Sequence, residues 1–274
     1  MDNVEGLRTH IPDNSIDLTV TSPPYGNIRD YNGFEWDLNI LIKELYRVTK
    51  KGGVVVWITA DQTINGSETL NSFKQAIEFK NKGFNVHDTM IYQKDGITFP
   101  DTNRYFNVFE YMFVFSLGKP KTVNFIKDRL NSKAGQSMTG IKERDKDGTL
   151  RESNASINNR EYKEKSRRFN IWKYGVGNNK TTKDKFAFQH PAMFPEKLAK
   201  DHIKSWSNEG DVILDPFMGS GTTAKMAELL NRKWIGFEIS QEYVDIAYKR
   251  LGKIDKKYYD ELPEEEKPKQ MQMF

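Results

Sequence analysis

The sequence predicts an α/β fold: an open, Rossmann-like, mostly parallel sheet with an antiparallel hairpin at its edge and an inserted basic region. Three observations lead there. Short apolar runs at residues 16–20, 54–58 and 212–214 read as strands buried on both faces. Segments of helical period separate them, such as Leu38, Leu41, Ile42, Leu45 and Val48. The alternation breaks from Leu117 to about Gln189, a stretch too long for a plain loop inside a compact domain.

Taken in order, residues 4–10 suit a helix, and 16–20 a strand that ends at Ser22-Pro23-Pro24-Tyr25. Residues 37–50 keep the helical period until Lys51-Gly52-Gly53 stops it. Residues 54–58 form a wholly apolar strand, and a helix over 70–82 ends at Gly83. Residues 86–93 and 108–116 form the edge hairpin. After the break come a helix (195–206), a strand (212–214), a helix (222–230), a strand (234–238) and a helix (241–251). Glu264-Glu265-Glu266 and Pro268 mark a frayed tail. The expected divisions are 1–118 and 190–251, two halves of one catalytic domain, around an inserted region at 119–189, with the tail at 252–274.

Composition narrows the chemistry. A chain of 274 residues can bury a sizeable core. It has no long apolar run to span a membrane, and its first residues lack the pattern of a signal peptide. Cysteine is absent, which excludes disulfides, zinc–thiolate sites and a cysteine nucleophile. The four histidines, His10, His87, His190 and His202, show no ligand spacing, so no metal is expected. Residues 121–190 hold 17 Lys and Arg against 8 Asp and Glu, a net of +9, leaving 25 against 30 elsewhere. A basic block on a mildly acidic body is the footprint of a polyanion-binding face, although a solvated lysine-rich loop would look the same.

Two motifs carry the chemistry. Asp215-Pro216-Phe217-Met218-Gly219-Ser220-Gly221-Thr222-Thr223 follows a strand and opens a helix. Glycines there let backbone approach a ligand in front of a helix N-terminus. Glu238 ends the next strand, where an acid can hold ribose hydroxyls. An NAD-dependent oxidoreductase shares this loose fingerprint. The acid placed directly before the turn, and no need for a cation directed at pyrophosphate, favour S-adenosylmethionine. The alternative is that Phe217 and Met218 are simply core residues at a tight turn.

Ser22-Pro23-Pro24-Tyr25 looks like a clamp for a planar amine. The Ser22 hydroxyl and the Pro23 carbonyl can accept both hydrogens of an amino group. The prolines stiffen the backbone, and Tyr25 offers a stacking face. A Pro-Pro pair can also simply end a strand. Carbon-5 methylation of cytosine normally needs a thiolate, which this chain lacks, so an exocyclic amine is the expected acceptor.

Read together, these residues resemble the DNA amino-methyltransferase family that modifies cytosine N4 or adenine N6, in its beta order: target motif first, recognition region next, cofactor motif last. His190-Pro191-Ala192-Met193-Phe194-Pro195-Glu196 also matches a family segment. The resemblance implies an S-adenosylmethionine-dependent methyltransferase sheet with an inserted target-recognition region, acting on a flipped base. It implies cofactor contacts from Asp2, Phe194, Pro195, Asp215, Phe217, Gly219, Ser220, Gly221, Thr222 and Glu238. Asp215 should sit near the cofactor's amino group, Glu238 at the ribose and Asp2 near the adenine. Ser22 in the clamp favours cytosine N4 over adenine N6.

The implied partner is double-stranded DNA, in the cytoplasm of a bacterium or encoded by a phage; a homodimer and a cognate restriction endonuclease are left open, as is a non-catalytic nucleic-acid binder. Arg167, Arg168 and Lys173, beside Phe169 and Trp172, are expected to contact DNA. The zone from Gly26 to Trp36, with Tyr31 and Phe34, would close over the base or join the core. Asp61 is a further candidate at the pocket edge.

Overall fold

The computed structural model describes residues 1–25, 36–96, 102–177, 179–190 and 192–252. Tyr31, Phe34, Pro191 and the tail beyond Gly252 lie outside them. The elements begin α1 (Asn3–His10), β1 (Ile16–Thr21), α2 (Leu38–Val48), β2 (Thr49–Thr59), β3 (Thr63–Ile64), β4 (Ser67–Glu68), α3 (Asn71–Asn81), β5 (Asn85–Lys94) and β6 (Phe109–Ser116). They continue β7 (Arg129–Leu130), β8 (Lys142–Arg144), β9 (Leu150–Glu152), α4 (Asn154–Ile157), β10 (Lys165–Ser166) and β11 (Ile171–Tyr174). A 3-10 turn (Lys185–Gln189) precedes α5 (Glu196–Trp206), β12 (Val212–Asp215), α6 (Thr222–Glu228), β13 (Lys233–Gly236) and α7 (Gln241–Leu251).

Seven strands form one sheet in the order β11-β5-β6-β2-β1-β12-β13. Every neighbouring pair is parallel except the two that involve β6. The expected α/β class and mostly parallel sheet are therefore found. The hairpin of β5 and β6 is also there, but not at the edge, because β11 adds a further parallel strand to β5. Four residues, Ile-Trp-Lys-Tyr, are too short a run to reveal a strand by alternation.

The apolar period of α2 works as its spacing suggests. Leu41, Ile42, Leu45 and Val48 are buried, and Asp37 caps the helix by accepting from the Ile40 N–H. They pack with Leu7, Ile16, Trp57, Phe79, Phe115 and Phe237 in one core cluster. The ring of Phe79 lies flat on Phe115 at 4.1 Å between centroids. β2 starts earlier than its apolar run, at Thr49, and carries Gly52-Gly53 inside it. A Cβ on Gly53 would meet the Lys50 carbonyl at 2.8 Å, so close backbone approach explains the glycine.

The chain divides into two compact units, 1–124 with 170–274, and Phe125–Phe169. The smaller unit is thus shorter than the 119–189 read from sequence, and β11 belongs to the larger one. Within the smaller unit β7 pairs with β10 and β8 with β9, both antiparallel. Ser153 caps α4 by accepting from the Ser156 N–H at 3.1 Å. Its only buried residues are Ser153 and Ser156, so it has no apolar core of its own. Hydrogen bonds hold it instead, such as Asn131 Nδ2 donating to the Lys163 carbonyl at 2.6 Å.

Candidate active site

Parallel strands deliver the segments that follow β1, β2, β12 and β13 to one end of the sheet, where such folds bind ligands. β6 runs the other way, so its first residues arrive at that same end, with Tyr111 beside Thr59. A cavity of about 1370 Å³ opens there. Ser22, Pro23, Pro24 and Tyr25 lie on its wall together with Asp2, Phe194, Phe217, Gly219, Ser220, Thr222 and Glu238. The two sequence motifs thus share one site. Thr21 Oγ1 ties them by donating to Asp215 Oδ1 at 2.7 Å.

In the glycine loop, Gly219 and Gly221 have φ of +51° and +76°, in the left-handed region that suits glycine. Gly219 is on the cavity wall, and a Cβ there would stand 2.6 Å from His190 Nε2. Gly221 is not on the wall. A Cβ on it would come within 2.8 Å of Ala247 Cβ, so this glycine serves the packing of α6 on α7 rather than ligand approach. Behind the loop, the fully buried Arg250 donates to the Ser220 carbonyl at 2.8 Å and to Thr222 Oγ1 at 2.9 Å. Its other nitrogens pair with Glu196 at 2.6 Å and Asp184 at 3.1 Å, and Lys225 bridges the same two acids. These charges pin the loop from beneath.

Asp215 also lies behind the wall. Besides Thr21, its Oδ1 accepts from the Phe217 N–H at 3.1 Å, which holds the turn. Its expected contact with a ligand amine is therefore not what this geometry provides. Burial, reinforced by the nearby Glu238 charge and opposed by these hydrogen bonds, leaves its pKa pushed up to about 6. Pro195 caps α5 behind Phe194 and is likewise off the wall.

Glu238 Oε2 accepts from the Gly219 N–H at 2.8 Å, and Oε1 from the N–H groups of Ile239 and Ser240 at 2.9 Å each. A carboxylate so held keeps lone pairs for hydroxyl donors. Asp2 caps α1 by accepting from the Glu5 N–H at 2.9 Å. Asn3, missed in the sequence, lines the cavity too. Its Nδ2 donates to the Pro216 carbonyl at 3.2 Å, while its buried Oδ1 has no hydrogen-bond partner among the described residues. That acceptor gives the cavity an unused polar contact for a ligand donor. Trp36 meets Phe217 edge-on at 5.1 Å and lines the cavity, so it joins core and site at once.

At the clamp, Ser22 Oγ and Tyr25 Oη are 2.8 Å apart. Tyr25 Oη donates to Glu110 Oε2 at 2.9 Å, and Lys94 Nζ holds Glu110 Oε1 at 2.7 Å. Glu110 and Lys94 carry no local sequence signal; only the pairing of β5 with β6 brings them here. Asp61 is on the wall as well, accepting from the Ser72 N–H at 3.1 Å and from Thr69 Oγ1 at 3.2 Å. Among the described residues the Lys and Arg side chains on the wall are Lys94, paired with Glu110, and Arg104, which donates to the Gly66 carbonyl.

The three basic candidates separate. Arg167 lies over the Phe125 ring at 3.9 Å, and Arg129 over Phe169 at 4.4 Å. Arg168 does not present a free charge: Asp128 accepts from its Nε at 3.0 Å. Lys173 falls on β11 in the larger unit. Trp172, which the sequence sets beside these cations, is buried with its ring 4.6 Å from His202.

Comparison with known proteins is consistent across sequence and fold. The DNA methylase family profile matches residues 16–249. The orphan methyltransferase M.BamHII of Bacillus amyloliquefaciens is 58% identical over 247 residues, which cover 89% of this chain and 92% of that one. The structure of a cytosine-N4-specific PvuII DNA methyltransferase matches with a TM-score of 0.64 at 20% identity, covering 95% of this chain and 88% of that one. A DNA modification methylase of Thermus thermophilus, in complex with S-adenosyl-L-methionine, matches with a TM-score of 0.59 at 21% identity over 95% of each chain.

Proposed function

The chain belongs to the N6/N4 DNA methylase family, and from that premise we propose that it methylates an exocyclic amine of a flipped base in double-stranded DNA, cytosine N4 ahead of adenine N6. The observation that carries this reading is the shared cavity, in which the Ser22–Tyr25 clamp faces the same space as the glycine loop.

S-adenosylmethionine supplies a methyl group activated by its sulfonium. The cavity suits it: Glu238 would hold the ribose hydroxyls, Asn3 Oδ1 is an unused acceptor, and Phe194 and Phe217 offer apolar wall. At the clamp, Ser22 Oγ and the Pro23 carbonyl accept the two amine hydrogens, which turns the nitrogen lone pair out of conjugation with the ring. Pro23 and Pro24 keep that carbonyl fixed, so the contribution of the protein is mainly positioning. Ser22 favours cytosine N4, by the resemblance of its motif.

Incubation with tritiated S-adenosylmethionine and unmodified DNA, followed by digestion to nucleosides and mass spectrometry, tests this. Labelled N4-methylcytosine is the expected product. Labelled N6-methyladenine would reverse the order of the bases, and no label in DNA would remove the reading.

A further inference from the structure

The Ser22–Tyr25 hydrogen bond has a direction, and the residues behind it set that direction. Tyr25 Oη carries one hydrogen and gives it to Glu110 Oε2 at 2.9 Å. A carboxylate accepts, and Lys94 Nζ pairs with its other oxygen at 2.7 Å. With its hydrogen spent, Tyr25 Oη can meet Ser22 Oγ, 2.8 Å away, only as an acceptor. Ser22 must then donate its own hydrogen to Tyr25. What remains on Ser22 Oγ for the cavity is lone pairs alone.

We propose that Glu110, braced by Lys94, is a positioning residue that acts through Tyr25 to make Ser22 a one-way acceptor, and so selects bases bearing an amine over bases bearing a keto oxygen. An amine hydrogen meets a lone pair on Ser22 Oγ. A keto oxygen in the same place meets lone pair against lone pair and leaves both oxygens without a donor, the costly case for polar groups out of water. The inference deepens the amine-clamp reading given above and rests on it. It also gives the tyrosine hydroxyl a task separate from stacking by its ring.

The test compares wild type with Ser22→Ala, Tyr25→Phe, Glu110→Leu, Glu110→Gln and the double variant Tyr25→Phe/Glu110→Leu. Single-turnover methyl transfer to unmodified DNA is read at saturating cofactor, with cofactor affinity measured by calorimetry. Tyr25→Phe and Glu110→Leu are each expected to slow transfer by about tenfold, the scale of one hydrogen bond, with cofactor affinity unchanged. Glu110→Gln keeps an acceptor oxygen and should recover most of the rate. The double variant should be no slower than Tyr25→Phe alone, because Glu110 acts only through that hydroxyl. A further loss in the double variant, or wild-type transfer by Tyr25→Phe, overturns the proposal. Tyr25→Phe leaves the Glu110–Lys94 pair intact, so it decides the matter even if Glu110→Leu does not fold.

A second readout is the affinity ratio between a duplex carrying the amino base and one carrying its keto counterpart. Weaker pairing in the altered duplex is common to every variant and cancels between them. Glu110→Leu frees the Tyr25 hydrogen to turn toward Ser22, whose own hydrogen can then face a keto oxygen, so the ratio should narrow. An unchanged ratio overturns the proposal. If Ser22→Ala transfers at the wild-type rate, the clamp reading itself fails. If Ser22→Ala is slow and Glu110→Leu is not, only the inference about Glu110 fails.

Discussion

Asp215 shows how one residue's surroundings change the task that a motif suggests for it. The sequence places an acid before a glycine turn and invites a ligand contact. The structure buries that acid and sets it to hold the turn through Thr21 and the Phe217 N–H. Burial leaves its pKa pushed up to about 6, against about 4 for an aspartate in an unfolded chain. At a pH between these values the folded state holds the proton and the unfolded state does not. Stability from this group is therefore present below about pH 4 and is lost as pH rises through about 6. Asp215→Asn keeps an oxygen to accept from Thr21 and Phe217 but never ionises. It should raise the melting temperature relative to wild type at pH 8, with the difference closing by about pH 4 in paired thermal scans. A constant difference across that range would mean that Asp215 titrates normally.

At the scale of elements, the loop between β12 and α6 depends on α7 as much as on its own glycines. Arg250 of α7 reaches the Ser220 carbonyl and Thr222 Oγ1 while it neutralises Glu196 and Asp184. Removing one partner from a buried ion group strands the others, at a cost of about 3–5 kcal/mol. Arg250→Met should lower the free energy of unfolding by that order in denaturant titrations. A loss below about 1 kcal/mol would mean that the acids find other partners. The elements themselves were legible where a period ran for several turns, as in α2, or where a run was wholly apolar, as in residues 54–58 of β2. The start of β2 was hidden because two glycines weaken its strand signal, and β11 because four residues are too few to show alternation. The clamp and the glycine loop could be read because each chemistry is local in the chain. Glu110 could not, since it stands 85 residues from Tyr25 and is brought there only by strand pairing.

For the whole molecule, charge and fold divide differently from the sequence reading. Of the basic stretch, only Phe125–Phe169 forms the separate unit, with 12 Lys and Arg against 7 Asp and Glu. We propose this unit as a DNA-binding surface. Arg167 then offers its charge from above the Phe125 ring, whereas Arg168 is already countered by Asp128. Replacing both arginines by alanine should weaken duplex binding for all sequences and lower the slope of log affinity against log salt by about one, rather than the two expected of free charges. Binding isotherms over a salt series measure this. A drop near two would free Arg168 from Asp128, and no drop would place the phosphates elsewhere.

The smaller unit buries no apolar side chain, only Ser153 and Ser156. Most severe losses on mutation come from cavities, overpacking or stranded polar groups inside a core. A unit with almost no interior offers few such positions, so most substitutions in it cost within about 0.5 kcal/mol. Drift in this segment is thus cheap for the fold, while the sheet that carries the clamp and the glycine loop is held to its sequence by packing. On the proposal that this unit binds DNA, new DNA addresses can be tried by mutation on one stretch of chain without re-solving the chemistry proposed for the other.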